Sequence, residues 1–154
     1  MIRFNHAPDG YAIESKILGK DNVVTDVSFN PKADIVISRV EGEKLLGGVI
    51  LRDWNGASIL MHVAGFAPNW LTRDFLWVIF DYPFNQLGCK KVLALVSASN
   101  LHAIEFDKKI GYREECRISD ADPHGDLVVL SMRREDCRWL SIKPKGIKRK
   151  TDVR

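Results

Sequence analysis

The chain has 154 residues, 45% hydrophobic and 28% charged, with a formal net charge of +3. That length suits one domain with a substantial core and is short for two. Its longest apolar stretches, such as Phe75 to Phe80, fall far below the roughly 20 residues of a membrane-crossing helix. The N-terminus has no basic region followed by an apolar signal core, so a soluble, cytoplasmic protein with no membrane association is expected.

The charge is unevenly placed. Residues 141–154 hold six cations against Asp152, a net +5, which leaves −2 for the first 140 residues. That distribution disfavours a nucleic-acid-binding face on the folded part. The expected organisation is a domain over 1–140 and a basic tail over 141–154, either solvated or in contact with an acidic partner. Cys89, Cys116 and Cys137 form no Cys-x-x-Cys pair and leave an odd count, so buried free thiols are expected rather than disulfides or a zinc site.

In chain order, residues 9–19 place Tyr11, Ile13, Ile17 and Leu18 on one helical face, with Asp9 as a candidate N-cap and Gly19 as terminator. From 35 to 64 the pattern turns to strands: "DIVISRV", "KLLGGVILRDW" and "SILMHVAG", separated by "EGEK" and by Asn55-Gly56. The Asn-Gly pair predicts a two-residue hairpin turn, whose central residues both need positive φ. Residues 72–88 follow, with Thr72 as candidate N-cap and Phe75, Leu76, Ile79 and Phe80 as an apolar face. Pro83 lacks an N–H and should kink this helix or restart it after Asp81. "KKVLALVSAS" reads as a central strand covered on both faces, and "NLHAIEFDKKIGY", residues 100–112, as an amphipathic helix ending at Gly111. "YREECRIS", a loop "DADPHG" and "DLVVLSMRRE" complete the chain as an antiparallel pair. The loop carries acidic and histidine side chains, but its spacing matches neither a calcium loop nor a zinc signature, and no metal site is assigned. The sum is an α/β (α+β) domain whose sheet mixes parallel and antiparallel neighbours.

This order of elements, with Asn100, Ala103, Phe106 and Gly111-Tyr112 between a buried strand and a hairpin, resembles the GCN5-related N-acetyltransferase (GNAT) family over about residues 35–135. Through "NWLTRDF", "FDYPFNQLGCKKV" and "LSMRREDCRWL" the chain is most similar to small members from phages and prophages. The resemblance implies a mostly antiparallel central sheet flanked by helices and splayed between the strands at about 58–65 and 90–99. It implies acetyl-CoA as co-substrate and a small-molecule or protein amine as acceptor. It further implies that Val63, Ala64 and Gly65 offer backbone to the pantetheine arm and an N–H to the oxyanion, as in strand augmentation. Asn100 is then expected to touch the arm, with Phe106 packing beneath, and Thr72 and Arg73 to serve the pyrophosphate at a helix N-terminus.

Three positions depart from the family pattern. The phosphate loop falls in "FAPNWLTRDF", which has no glycine between Phe66 and Phe75. The inward position that often holds a glutamate base is Leu60, with His62 two residues on and on the same face; His62 is the candidate catalytic base. The position of the tyrosine that protonates the leaving thiolate, seven residues after the asparagine, is Asp107, and an ionised aspartate has no proton to give. These departures keep a second reading open: a phage protein that retains the fold as a virion-associated or assembly component, anchored to phage structural proteins through its basic tail. Trp70 is the tryptophan placed nearest a substrate mouth.

Overall fold

The computed structural model describes residues 1–19 and 29–142. Apart from Ser141 and Ile142, the basic tail lies outside the described residues. Among those residues the strands are β1 (Ile2–Phe4), β2 (Ile35–Glu41), β3 (Lys44–Arg52), β4 (Ser58–Gly65), β5 (Lys91–Ser97), β6 (Arg113–Asp122) and β7 (Gly125–Arg133). They form one sheet in the order β1-β2-β3-β4-β5-β7-β6. Every neighbouring pair is antiparallel except β4 and β5, which run parallel. The α-helices are α1 (Ala7–Ile17), α2 (Arg73–Asp81) and α3 (Leu101–Ile110).

Alternation along the strands divides the core between the two faces of the sheet. Ile37, Val49, Leu51, Ile59 and Met61 join one cluster with Phe75 and Phe80 of α2 and Ile104 and Ile110 of α3. Val36, Ile50 and Ala64 face the other way, against Ile13 of α1. One face therefore carries α2 and α3, the other α1. A mixed, mostly antiparallel sheet flanked by helices is what the sequence implied.

The boundaries show where tertiary contacts override local signals. β1 was not expected; it pairs with β2 from Ile2↔Arg39 to Phe4↔Ile37. Helix α1 starts at Ala7, with His6 at the cap position and Pro8 in the first turn. Asp9 is not its cap: the carboxylate takes Arg3 Nε at 2.7 Å and Nη2 at 2.8 Å, and also Ser38 Oγ, tying β1, α1 and β2 together. Gly19 does end the segment, with φ of +71°. The Asn55-Gly56 pair is no two-residue turn. Asp53 and Gly56 take the positive φ values, 59° and 94°, while Asn55 Oδ1 accepts from the N–H of Ala57 and of Ser58, each at 2.9 Å.

Thr72 caps α2, its Oγ1 accepting from the Phe75 N–H at 3.2 Å. The helix yields at Pro83 to a π-helical turn over Tyr82–Gln86. The loop between β6 and β7 is shorter than expected, since β6 runs on to Asp122 and β7 begins at Gly125. Cys89 and Cys137 are buried, whereas Cys116 is exposed on β6.

Candidate active site

The site begins where the sheet fails to close. β4 and β5 pair only through Ser58↔Lys91, Ile59↔Val92 and Leu60↔Leu93. Beyond Leu60, β4 stays paired to β3 as far as Gly65, and β5 stays paired to β7 as far as Ser97. Each strand thus keeps its outer partner and loses its inner one. Alternate residues on both inner edges are left with N–H and C=O groups that no strand takes up. β5 is consequently not covered on both faces as expected, and Leu95 is 39% exposed.

A cavity of about 660 Å³ occupies this opening. Its walls are residues 61–65 of β4, residues 94–97 of β5, the end of α1 at Lys16 and Ile17, and Asn100, Ala103, Phe106 and Asp107 around α3. Because the sheet is open here, the cavity reaches both faces. Of the eight positions singled out from sequence, His62, Val63, Ala64, Gly65, Asn100 and Phe106 line it. Thr72 and Arg73 stand apart, at the N-terminus of α2.

Asn100 is first of all a helix cap: its Oδ1 accepts from the Ala103 N–H at 3.2 Å. That leaves its side-chain NH₂ as a donor at the cavity edge. Gly111, at the other end of α3, has φ of +127°, a conformation that favours glycine. Gly65 pairs with Gly47 of β3, and both lie under Trp70. A Cβ built on Gly65 would stand 2.1 Å from Trp70 Nε1, and one on Gly47 would stand 2.3 Å from Trp70 Cε3. The close approach that Gly65 permits is therefore that of an indole ring. Trp70 is held from behind by Arg39, whose Nη1 donates to the Asn69 carbonyl at 2.8 Å and the Trp70 carbonyl at 3.2 Å.

Between Gly65 and α2 the chain needs one left-handed residue, and Asn69 supplies it with φ of 60°. Asparagine tolerates that region better than other side chains do. A glycine-free sequence therefore still makes a tight turn into the helix start, where unpaired N–H groups favour an anion.

His62 sits across from Ile50 of β3 and faces α1. Burial, followed by the positive charge of Arg52, pushes its pKa below the ordinary 6.5, against weaker opposing pulls from Glu14, Asp34 and Asp53. Arg52 is itself held by Glu14 at 3.0 Å and Asp34 at 2.9 Å. The imidazole is thus neutral at pH 7 and able to accept a proton.

On the other face, Asp107 is 7% exposed. Among the described residues no hydrogen bond or ion pair reaches its carboxyl, and burial raises its pKa to about 7. The expectation of an ionised carboxylate is corrected here: a large fraction of Asp107 carries its proton at neutral pH. The sequence held a clue in Ile104 and Ile110, three residues to either side, which place Asp107 on the helix's buried stripe. Tyr112 packs in the core, its hydroxyl directed at Met61 Sδ, 3.5 Å away.

No protein-family model matches the chain, and no curated protein matches it in sequence. Solved structures do match. A point mutant of the spermidine N-acetyltransferase SpeG from Vibrio cholerae aligns over 86% of this chain and 94% of its own, with a TM-score of 0.65 and 17% identity. A second SpeG mutant covers 92% of this chain and 98% of its own, at TM-score 0.64 and 16% identity. The fold is that of the GNAT acetyltransferases. The structure of yncA from Salmonella typhimurium with its cofactor acetyl-CoA also matches, over 86% of this chain and 92% of its own, with a TM-score of 0.63 and 16% identity. At such identities the shared property is the fold, and activity has to be argued from the site.

Proposed function

We propose that this chain is an acetyl-CoA-dependent N-acetyltransferase that passes acetyl directly to an amine. The observation that carries the reading is the parallel β4–β5 pair that ends after three residue pairs over a cavity open to both faces of the sheet. An extended, amide-bearing arm laid in that gap meets two rows of unpaired backbone groups, the requirement for strand augmentation. Val63, Ala64 and Gly65 offer backbone along one edge, Asn100 an amide donor, and Phe106 an apolar surface beneath. Thr72 and Arg73 at the start of α2 suit a pyrophosphate, with N–H groups, the helix dipole and one cation.

In the reaction the amine nitrogen attacks the thioester carbonyl carbon, and a backbone N–H in the 63–65 segment polarises the oxygen. His62, neutral, takes the proton that the nitrogen sheds. The C–S bond then breaks to give amide and thiol. The acceptor is an amine of a small molecule or protein side chain, and the spermidine activity of the structural neighbours makes a polyamine the first to try.

Calorimetric titration of the full chain with acetyl-CoA tests this. Micromolar binding is expected, with loss of that binding in Ala103→Trp, which fills the cavity beside Asn100. No heat and no thermal shift at millimolar acetyl-CoA would sink the enzyme reading and leave the fold serving a non-catalytic role, such as a virion component.

A further inference from the structure

We propose that Asp107 is the proton donor to the departing thiolate, an inference that rests on the acetyltransferase reading above. Two observations on separate elements point to it. One is the side chain itself: Asp107 is a residue more than nine-tenths buried, in the cavity wall, and its carboxyl has no partner among the described residues. The other is its placement relative to His62. Met61 belongs to the cluster of α2 and α3, Ala64 to that of α1. By strand alternation His62 lies on the Ala64 side, while Asp107 projects from α3, on the Met61 side. Acid and base therefore stand on opposite faces of the opening. A thioester threaded between the strands presents one face of its carbonyl to each.

That arrangement matches what direct transfer demands. The nucleophile enters from one face of the carbonyl plane, and the leaving group needs its proton away from the base that has just taken one. Electrons of the breaking C–S bond go to sulfur, the carboxyl O–H proton follows, and Asp107 is left as carboxylate to be reprotonated from solvent. An alkyl thiol has a pKa of about 8.5, so a carboxyl that titrates near 7 transfers its proton to the thiolate downhill.

The other titratable groups near Asp107 leave this role open to it. Tyr112, buried in the turn between α3 and β6, is driven far up by burial and then by Asp107 itself, and burial also raises Cys137 to about 11. His102 lines the cavity from the first turn of the same helix, and His62 on β4, Asp122 at the end of β6 and Lys16 at the end of α1 line it from other elements. Among the described residues no cation is bonded to Asp107 to hold it ionised.

The test needs no knowledge of the natural acceptor. The aspartate carboxyls of the full chain are carbon-13 labelled, Asp107 is assigned by its absence in Asp107→Asn, and its titration is followed alone, with CoA and with desulfo-CoA. A midpoint near neutrality that CoA displaces and desulfo-CoA does not is expected. Midpoints that are the same with both ligands, or ionisation complete by about pH 5 as for an ordinary aspartate, would overturn the assignment. Kinetics supply a second readout, with spermidine as acceptor and CoA release measured across pH. Asp107→Asn should lower kcat by about 10²-fold at unchanged KM for acetyl-CoA, and should abolish the fall in rate on the alkaline side of neutrality. Wild-type kcat and pH profile in that variant would overturn the proton-donor role while the enzyme stands. Wild-type protein that binds neither ligand would overturn both.

Discussion

Two aspartates are buried almost equally, Asp9 at 4% and Asp107 at 7% exposure, and the molecule treats them in opposite ways. Burial alone raises a carboxyl pKa, and at Asp9 it is the largest single influence. Hydrogen bonds from Arg3 and Ser38, with the charge of Arg3, outweigh it and hold the group below its ordinary value. Asp107 has burial and, among the described residues, no counterweight, and rises to about 7. The difference lies in whether a donor is built beside the carboxyl. Where the fold joins β1, α1 and β2 it supplies one; at the open sheet, among the described residues, it supplies none.

The two groups should leave opposite marks on stability as pH changes. Asp107 keeps its proton in the folded state above the pH at which the unfolded chain has lost it, so its burial costs more as pH rises from about 4 to about 7, then levels off. Asp9, with its depressed folded pKa, stabilises above about pH 4 and loses that contribution as pH falls below it. The largest expected effect is accordingly in Asp107→Asn, which should gain up to roughly 4 kcal/mol over wild type at pH 8 and little at pH 4, read by urea unfolding at both. Loss of stability at pH 8 would break the comparison.

Next is Asp9→Asn, which removes the negative charge and leaves one accepting oxygen where Arg3 and Ser38 had two, and should cost about 2 kcal/mol at pH 7, as Arg3 keeps part of its hydration. A sharper version is Arg3→Ala. It should lose about 1 kcal/mol and move the Asp9 titration upward, towards that of Asp107, as carboxyl NMR would show. Smallest is Tyr112→Phe, expected to cost under about 1 kcal/mol and to leave Asp107 titrating near neutrality, since burial rather than the phenol sets it.

What the sequence revealed follows from the range of the forces involved. β2, β3, β4 and α3 were legible because each carries its own period and local punctuation: alternation in "SILMHVAG", Asn100 and Gly111 around the last helix. β1 was not, since three residues show no period and exist as a strand only through pairing with β2. Asp9 looked like a cap until Arg3 and Ser38, from two strands, claimed it. In the site, the splay and the residues along it were legible by resemblance, whereas the protonation of Asp107 was not. A sequence shows that a residue is acidic; its charge state depends on what the fold puts next to it. Asn69 teaches the same lesson for the turn into α2, because a motif that lists glycines does not state which other residues tolerate positive φ.

The three residue pairs that join β4 to β5 have a mechanical consequence. The sheet is two plates, β1 to β4 and β5 with β7 and β6, riveted at one end and free at the other. Anything that bridges the free end acts as a second rivet, so amide exchange should slow along both inner edges together, not along the contacted one alone. By mass action, a ligand at a hundred times its Kd adds about 2.7 kcal/mol to the folded state. Here much of that gain would be felt as resistance of the two plates to parting.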